Sequence, residues 1–179
     1  MKAQIHSRGN SRTERSWRCM RLLAASGLCL AAAACTDGAG GAVGAVMSNE
    51  LVDPASSATC SHGSNVRITK SGFQTVLNGQ CGAIVVTGSN GSVNVDHAQS
   101  IRVEGSQVTV LNEKVEMLEA IGSDNTFNMT EVGQATVAGD RNTLLGRNYR
   151  QVTFKGKDNA VNTDNEPQLD DQGSRNKVI

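Results

Sequence analysis

Between Ile68 and Val178 apolar residues return at fixed places around a recurring glycine. The glycines are Gly72, Gly88, Gly105, Gly122, Gly139, Gly156 and Gly173, separated by one step of 16 and then steps of 17. Four residues before each glycine stand Ile68, Ile84, Ile101, Leu118, Ala135, Val152 and Leu169. Five residues after stand Leu77, Val93, Val110, Phe127, Leu144, Val161 and Val178. At 38% hydrophobic composition, fourteen apolar residues in fourteen places is roughly a one-in-a-million coincidence, so internal repetition dominates the reading. The row two before glycine is polar only in the first and last units, at Lys70 and Asp171. Within a unit, stretches such as "IVVTG" and "VTFKG" alternate with the two-residue period of a strand that buries one face. Seventeen residues are too few for a βαβ unit of about 30. They suit one coil of a single-stranded parallel β-helix, whose coils stack about 4.8 Å apart and share one continuous core. The predicted fold is therefore all-β, a β-solenoid of about seven 17-residue coils over residues 59–179.

The glycine marks a corner, where the backbone turns and a positive φ is expected. Asparagine recurs three residues later at Asn125, Asn142, Asn159 and Asn176, where it tolerates the left-handed conformation and can stack into an amide ladder. Calcium-binding β-roll repeats need a GGxGxD nonapeptide, which is absent. One residue before the asparagines the order is Asp124, Arg141, Asp158, Arg175. Alternating signs repel a row of cations and predict ion pairs between coils on a solvated face.

Outside this domain the composition changes. Six of the 17 Lys and Arg lie at or before Arg21, and the apolar run Leu22–Ala34 follows them. At 13 residues the run is too short to span a bilayer and fits the core of a signal peptide, assigned to 1–34, with Met20 as an alternative start. Ala32, Ala33 and Ala34 precede Cys35 in an order that resembles a bacterial lipobox, so Cys35 is expected to carry lipid and become the mature N-terminus. Residues 35–58 are rich in Gly, Ala and Ser, lack helix or strand periodicity, and read as a flexible tether. The expected location is the cell envelope, exported and membrane-anchored, with the outer membrane allowed in a Gram-negative cell. From Cys35 onward there are 11 basic and 16 acidic residues, which argues against nucleic acid as a partner.

With Cys35 lipidated, Cys60 and Cys81 are the only thiols of the mature chain, and in an exported protein they are expected to form a disulfide. The stretches "C…VRITKSG…NGQCGAIVVTGSNGSVNV…IRVEGS" resemble the bacterial DUF3060 family, which pairs an export or lipoprotein leader with GSNNTV-type repeats. The resemblance covers about Thr59 to Ile179 and implies a β-solenoid in the envelope. It brings no activity and no catalytic residues.

Candidate chemistry is sparse. His62 and His97 fall at different offsets from glycine, and no ligand spacing surrounds either. Asp96, beside His97, belongs to the opposite strand face. Ser89, Ser106, Ser123 and Ser174 follow corner glycines, as turn residues do, and not as a GxSxG nucleophile. Every step is 16 or 17, so no inserted loop builds a cleft. These features predict a lipid-anchored, non-catalytic binding or scaffolding module without metal or cofactor. Its expected partners are the membrane, through Cys35, and an unidentified envelope protein or glycan. The alternative, a polysaccharide-binding or polysaccharide-active solenoid, lacks carboxylate clusters and has only 3% aromatics. An ice-binding array would need two regular rows. One exists at Ser92, Thr109, Thr126 and Thr143, but the next reads Asn94, Leu111, Asn128, Leu145.

Overall fold

The computed structural model describes residues 49–61 and 63–179. Short strands β1 (Glu50–Val52), β2 (Ser57–Cys60) and β3 (Asn65–Ile68) lead into five long ones. These are β4 (Gln74–Val86), β5 (Gly91–Val103), β6 (Val108–Ala120), β7 (Thr126–Val137) and β8 (Thr143–Phe154). Strands β9 (Ala160–Thr163), β10 (Gln168–Asp171) and β11 (Lys177–Val178) end the stack. Every pairing is parallel, and from β5 onward each residue lies against the one 17 positions later. This is a β-solenoid.

The inward positions give the cross-section. In β5 the buried residues are Val93, Val95, Ala98, Ile101 and Val103. Strict alternation is broken on both flanks of Ala98, where two successive residues face outward and the strand bends. The coil therefore has three sides, which the sequence period leaves open. Side one carries the Val93 and Val95 rows, side two the Ala98 row, and side three the Ile101 and Val103 rows. Bulk is balanced between rows. Tyr149 is fully buried on side two, and its ring lies where a Cβ on Gly146 would come within 2.8 Å. Its hydroxyl donates to the Leu145 carbonyl at 3.2 Å, and burial raises the phenol above its ordinary value.

The corner motif has a different cause from the one expected. Gly105, Gly122, Gly139, Gly156 and Gly173 do not have positive φ; the left-handed residue comes two places later, at Gln107, Asp124, Arg141, Asp158 and Arg175. Glycine is required because the coils touch. A Cβ on Gly105, Gly122, Gly139, Gly156 or Gly173 would lie 1.8–2.0 Å from the carbonyl oxygen of the glycine one coil earlier. The left-handed residue turns its N–H along the stack, as in Arg141 donating to the Lys157 carbonyl at 3.0 Å. Such a conformation costs a non-glycine residue about 1–2 kcal/mol, which the added inter-coil hydrogen bonds offset.

The asparagines complete the corner chiefly through backbone groups; a direct amide-to-amide contact of the expected ladder forms at its last step, where Asn159 Nδ2 donates to Asn176 Oδ1 at 3.1 Å. Asn142 donates from Nδ2 to the Gly122 carbonyl at 3.0 Å and accepts at Oδ1 from the Asn125 N–H at 3.0 Å. Asn125 and Asn159 repeat both contacts one coil below and above. The residue after glycine forms a second series: Ser106 N–H donates to Ser89 Oγ, Ser123 N–H to Ser106 Oγ, and Asp140 N–H to Ser123 Oγ. Buried backbone groups that the sheet cannot reach at this corner are thus paired.

The first coils depart from the expected register. Gly72 does not stack beneath Gly88; Lys70 does, with its carbonyl where a Gly88 Cβ would be. Ile68 pairs with Val86, Val66 with Ile84 and Thr75 with Val93, a step of 18. Gly72 occupies the left-handed place instead, with φ 71. The extra residue is absorbed where the register shifts between Leu77 and Gln80, at Gly79 with φ 84. The coil domain also begins earlier than 59. Strand β1 pairs with β3, which sets Leu51 against Val66 and adds an eighth level to the seven expected. No glycine announces this coil. Asp53 makes its turn, and its carboxylate accepts from the Thr69 N–H at 2.6 Å and the Thr69 hydroxyl at 2.7 Å.

Two glycines separate the two causes. Gly139→Ala drives a Cβ into backbone and should cost about 3 kcal/mol or more. Gly72→Ala meets nothing within 4 Å and should cost only the left-handed strain, about 1 kcal/mol. Urea midpoints of the two variants check this; equal losses would mean that turn conformation, not coil contact, selects glycine.

Candidate functional site

Outward residues on the three sides differ in character. Side one exposes two rows. The first is Gln74, Ser92, Thr109, Thr126, Thr143 and Ala160, and the second is Val76, Asn94, Leu111, Asn128, Leu145 and Asn162. Each is held outward by buried neighbours in the same strand, such as Val93 and Val95 around Asn94. None of these twelve positions is charged, and the register carries the first row one coil further to Lys177, paired with Ala160. A shallow hollow of about 310 Å³ crosses Ser92 and Asn94 between Val76 and Leu111.

Side two and its bends are charged. His97 Nε2 lies 3.8 Å from Glu113, Lys114 Nζ lies 3.6 Å from Glu131, and Glu116 and Arg150 flank Gly133. Side three is mixed. Arg102 pairs with Glu104 at 2.7 Å and with Glu119, while Met117 stands 55% exposed beside a hollow of about 410 Å³. At the glycine corner, Arg141 makes two hydrogen bonds of 2.7 Å to Asp124, and Arg175 makes two of 2.6 Å to Asp158. Hydrogen bonds from the guanidinium groups hold both aspartates below the ordinary carboxylate range. The expected ion pairs therefore form on alternate coil steps.

The residues singled out in the sequence fall in separate places. Cys35 and His62 lie outside the described residues, as do 1–34 and most of the tether. Cys60 and Cys81 are joined in a disulfide, with Cα atoms 5.0 Å apart, and both are buried. The bond fastens β2 to β4 at the N-terminal end of the stack. His97 is exposed, and its neighbour Asp96 accepts from the Gly79 N–H at 2.8 Å. Asp96 thus serves the bulge and is not aimed at the histidine. Among the described residues no group of three or more His, Cys, Asp and Glu side chains is placed to hold a metal ion. Asn112 is a buried polar residue the repeat rows did not flag; its Nδ2 donates to the Val95 carbonyl at 3.1 Å, and its Oδ1 has no partner. The sequence shows the two rows of side one, but only the register shows that both lie on one side.

A family model described as a protein of unknown function (DUF3060) matches residues 71–117 and 120–175, together more than half of the chain. No curated protein and no solved structure gives a significant match.

The disulfide closes a loop of 21 residues, so reducing it should lower stability by about 3 kcal/mol. Non-reduced peptide mapping should recover the Cys60–Cys81 cross-link, and Cys60→Ala with Cys81→Ala should lower the urea midpoint. An unchanged midpoint would show that the first coils are held without it.

Proposed function

The chain belongs to the DUF3060 family, which has no assigned activity, and we propose from its own surface that it is a non-catalytic binding or scaffolding module. In this reading it is exported and held at the cell envelope by lipid on Cys35. The supporting observation is the uninterrupted coil. From β5 through β8 each strand follows the last after a four- or five-residue corner, so no loop rises from the sides to enclose a substrate. Enzymes concentrate chemistry in concave pockets with convergent polar groups. Here the ionisable side chains are spread along flat sides and paired with neighbours one coil away. Such a rod offers many weak contacts in regular rows, which suits adhesion to an extended partner more than turnover of a small one.

The leader supports the location. A basic segment, a short apolar run and Cys35 form an anchor, and two or more acyl chains hold a protein stably at a bilayer. The cellular role then depends on the anchor and on no single histidine. In a deletion strain, His62→Ala and His97→Ala should complement fully, whereas Cys35→Ser should leave the membrane fraction and fail. A histidine variant that fails while folded and exported would reveal a localised active site and overturn the reading.

A further inference from the structure

Resting on that reading, we propose that the C-terminal coil is a contact surface and that its partner is a second copy of this chain, related by a two-fold axis through the Gly173 corner at right angles to the stack. The coil is built as an end. Asp171 stands in the row that buries Ala120, Val137 and Phe154 below it. Its carboxylate accepts from the Gly173 N–H at 3.0 Å and from Asn176 Nδ2 at 2.7 Å. A further coil in the same register would bury that charge in an apolar row. The coil is also an open edge among the described residues. Leu169 and Val178 are 44% and 52% exposed, although Val152 and Val161 beneath them are fully buried. Along β11, Lys177 and Ile179 donate their N–H groups to the coil below, so Val178 between them turns its own N–H and C=O away from the stack, as does Asn176. On side three the Gln172 N–H donates to the Phe154 carbonyl below, and the same alternation turns the backbone groups of Asp171 and Leu169 away. Such an edge is a template for another strand.

The edge is complementary to itself. Side three runs toward the glycine corner and side one runs away from it, so the two-fold axis lays β10 of one copy antiparallel to β11 of the other. With the axis between Gly173 and Ser174, Leu169 faces Val178 of the second copy, Asp170 faces its Lys177, and Asp171 faces its Asn176. The four residues with outward-turned backbone groups then form the hydrogen-bonded pairs, and their side chains meet apolar to apolar and carboxylate to amide. Asp170 and Lys177, on the outer surface, fall in the non-hydrogen-bonded pair between them, where antiparallel strands bring Cα atoms to about 4.5 Å. Their charges are opposite, which favours a cross-strand pair. Symmetry doubles every contact, giving about eight backbone hydrogen bonds against about ten direct bonds in a typical interface. Head-to-tail stacking matches less well. The register of β1 on β3 sets Asp53 in the row of Asp171, carboxylate with carboxylate, and such a contact does not close. Two stacks joined at their C-terminal coils point their N-terminal ends apart, roughly 80 Å at about 4.8 Å per coil. With lipid on Cys35, the pair would bridge two membrane surfaces.

The test uses the full chain in detergent micelles, followed by sedimentation velocity up to about 0.1 mM. The parent should associate to a dimer and no further. Asp170→Lys and Lys177→Asp each set like charges opposite one another, so each should melt like the parent yet dimerise about ten-fold more weakly. Combining the two exchanges the charges and should restore association to within about three-fold of the parent. Glu131→Gln, on side two, should dimerise like the parent. Asp170→Cys combined with Lys177→Cys should cross-link as a dimer on mild oxidation, and peptide mapping should join positions 170 and 177. Each single cysteine variant, whose two thiols lie on different sides of the corner, should not. A monomer at every concentration, association unmoved by either charge reversal, no recovery in the double exchange, or open-ended growth would overturn the proposal. Absence of a dimer, with full complementation by His97→Ala, would remove this proposal alone. A dimer that behaves as described, with a folded and exported His97→Ala that fails to complement, would support the contact and contradict the non-catalytic reading.

Discussion

At the glycine corner the backbone of one coil presses against the backbone of the next, coil after coil, and much of the structure follows from that contact. A Cβ at Gly122 would sit 1.9 Å from the Gly105 oxygen, so only glycine fits. With the chains that close, a sheet ladder cannot continue around the corner, and four consecutive residues must find other partners. Serine at the next place accepts an N–H from the coil above. The left-handed residue donates upward. Asparagine reaches back to the glycine carbonyl of the coil below. Each element of the G-S-x-N pattern thus satisfies a particular backbone group, and unsatisfied buried groups are costly enough to enforce it.

Closing the corner this way frees the sides. Inward rows are filled by Val, Ile, Leu and Phe, while outward rows are constrained only by the need to remain outward. The protein uses that freedom unevenly. Charges gather on side two, at the glycine corner and in part of side three, where they pair between coils; on side one the only charge in the two outward rows among the described residues is Lys177, at the C-terminal end. Exposed pairs such as Lys114 with Glu131 contribute little to stability. Their distribution bears on solubility and partner choice and not on the fold.

Much of this was legible in the sequence, because a repeat shows each constraint several times. The strand period, the 17-residue coil and the Cys60–Cys81 bond follow from spacing and from cysteine count. Three features escaped for physical reasons. Glycine signals both positive φ and close approach, and spacing does not distinguish them; the φ angles at Asp124 and Arg141 do. Gly72 mimics a corner glycine but fills the left-handed place, so glycine spacing sets its coil two residues out of register. The coil of Leu51 has no glycine at all, because Asp53 makes the turn and bonds Thr69 with its own carboxylate.

The coil as the unit of structure is tested most directly by changing how much of one is present. Deleting residues 121–137 removes one full period, so Gly139 is set above Gly105, Asn142 reaches the Gly105 carbonyl, and every inward row stays aligned. Deleting only residues 121–129 shifts the downstream register and turns apolar rows outward. Thermal unfolding followed by circular dichroism should show a cooperative transition at reduced temperature for the first variant and none for the second. Equal damage from the two deletions would contradict a stack held together at its glycine corner.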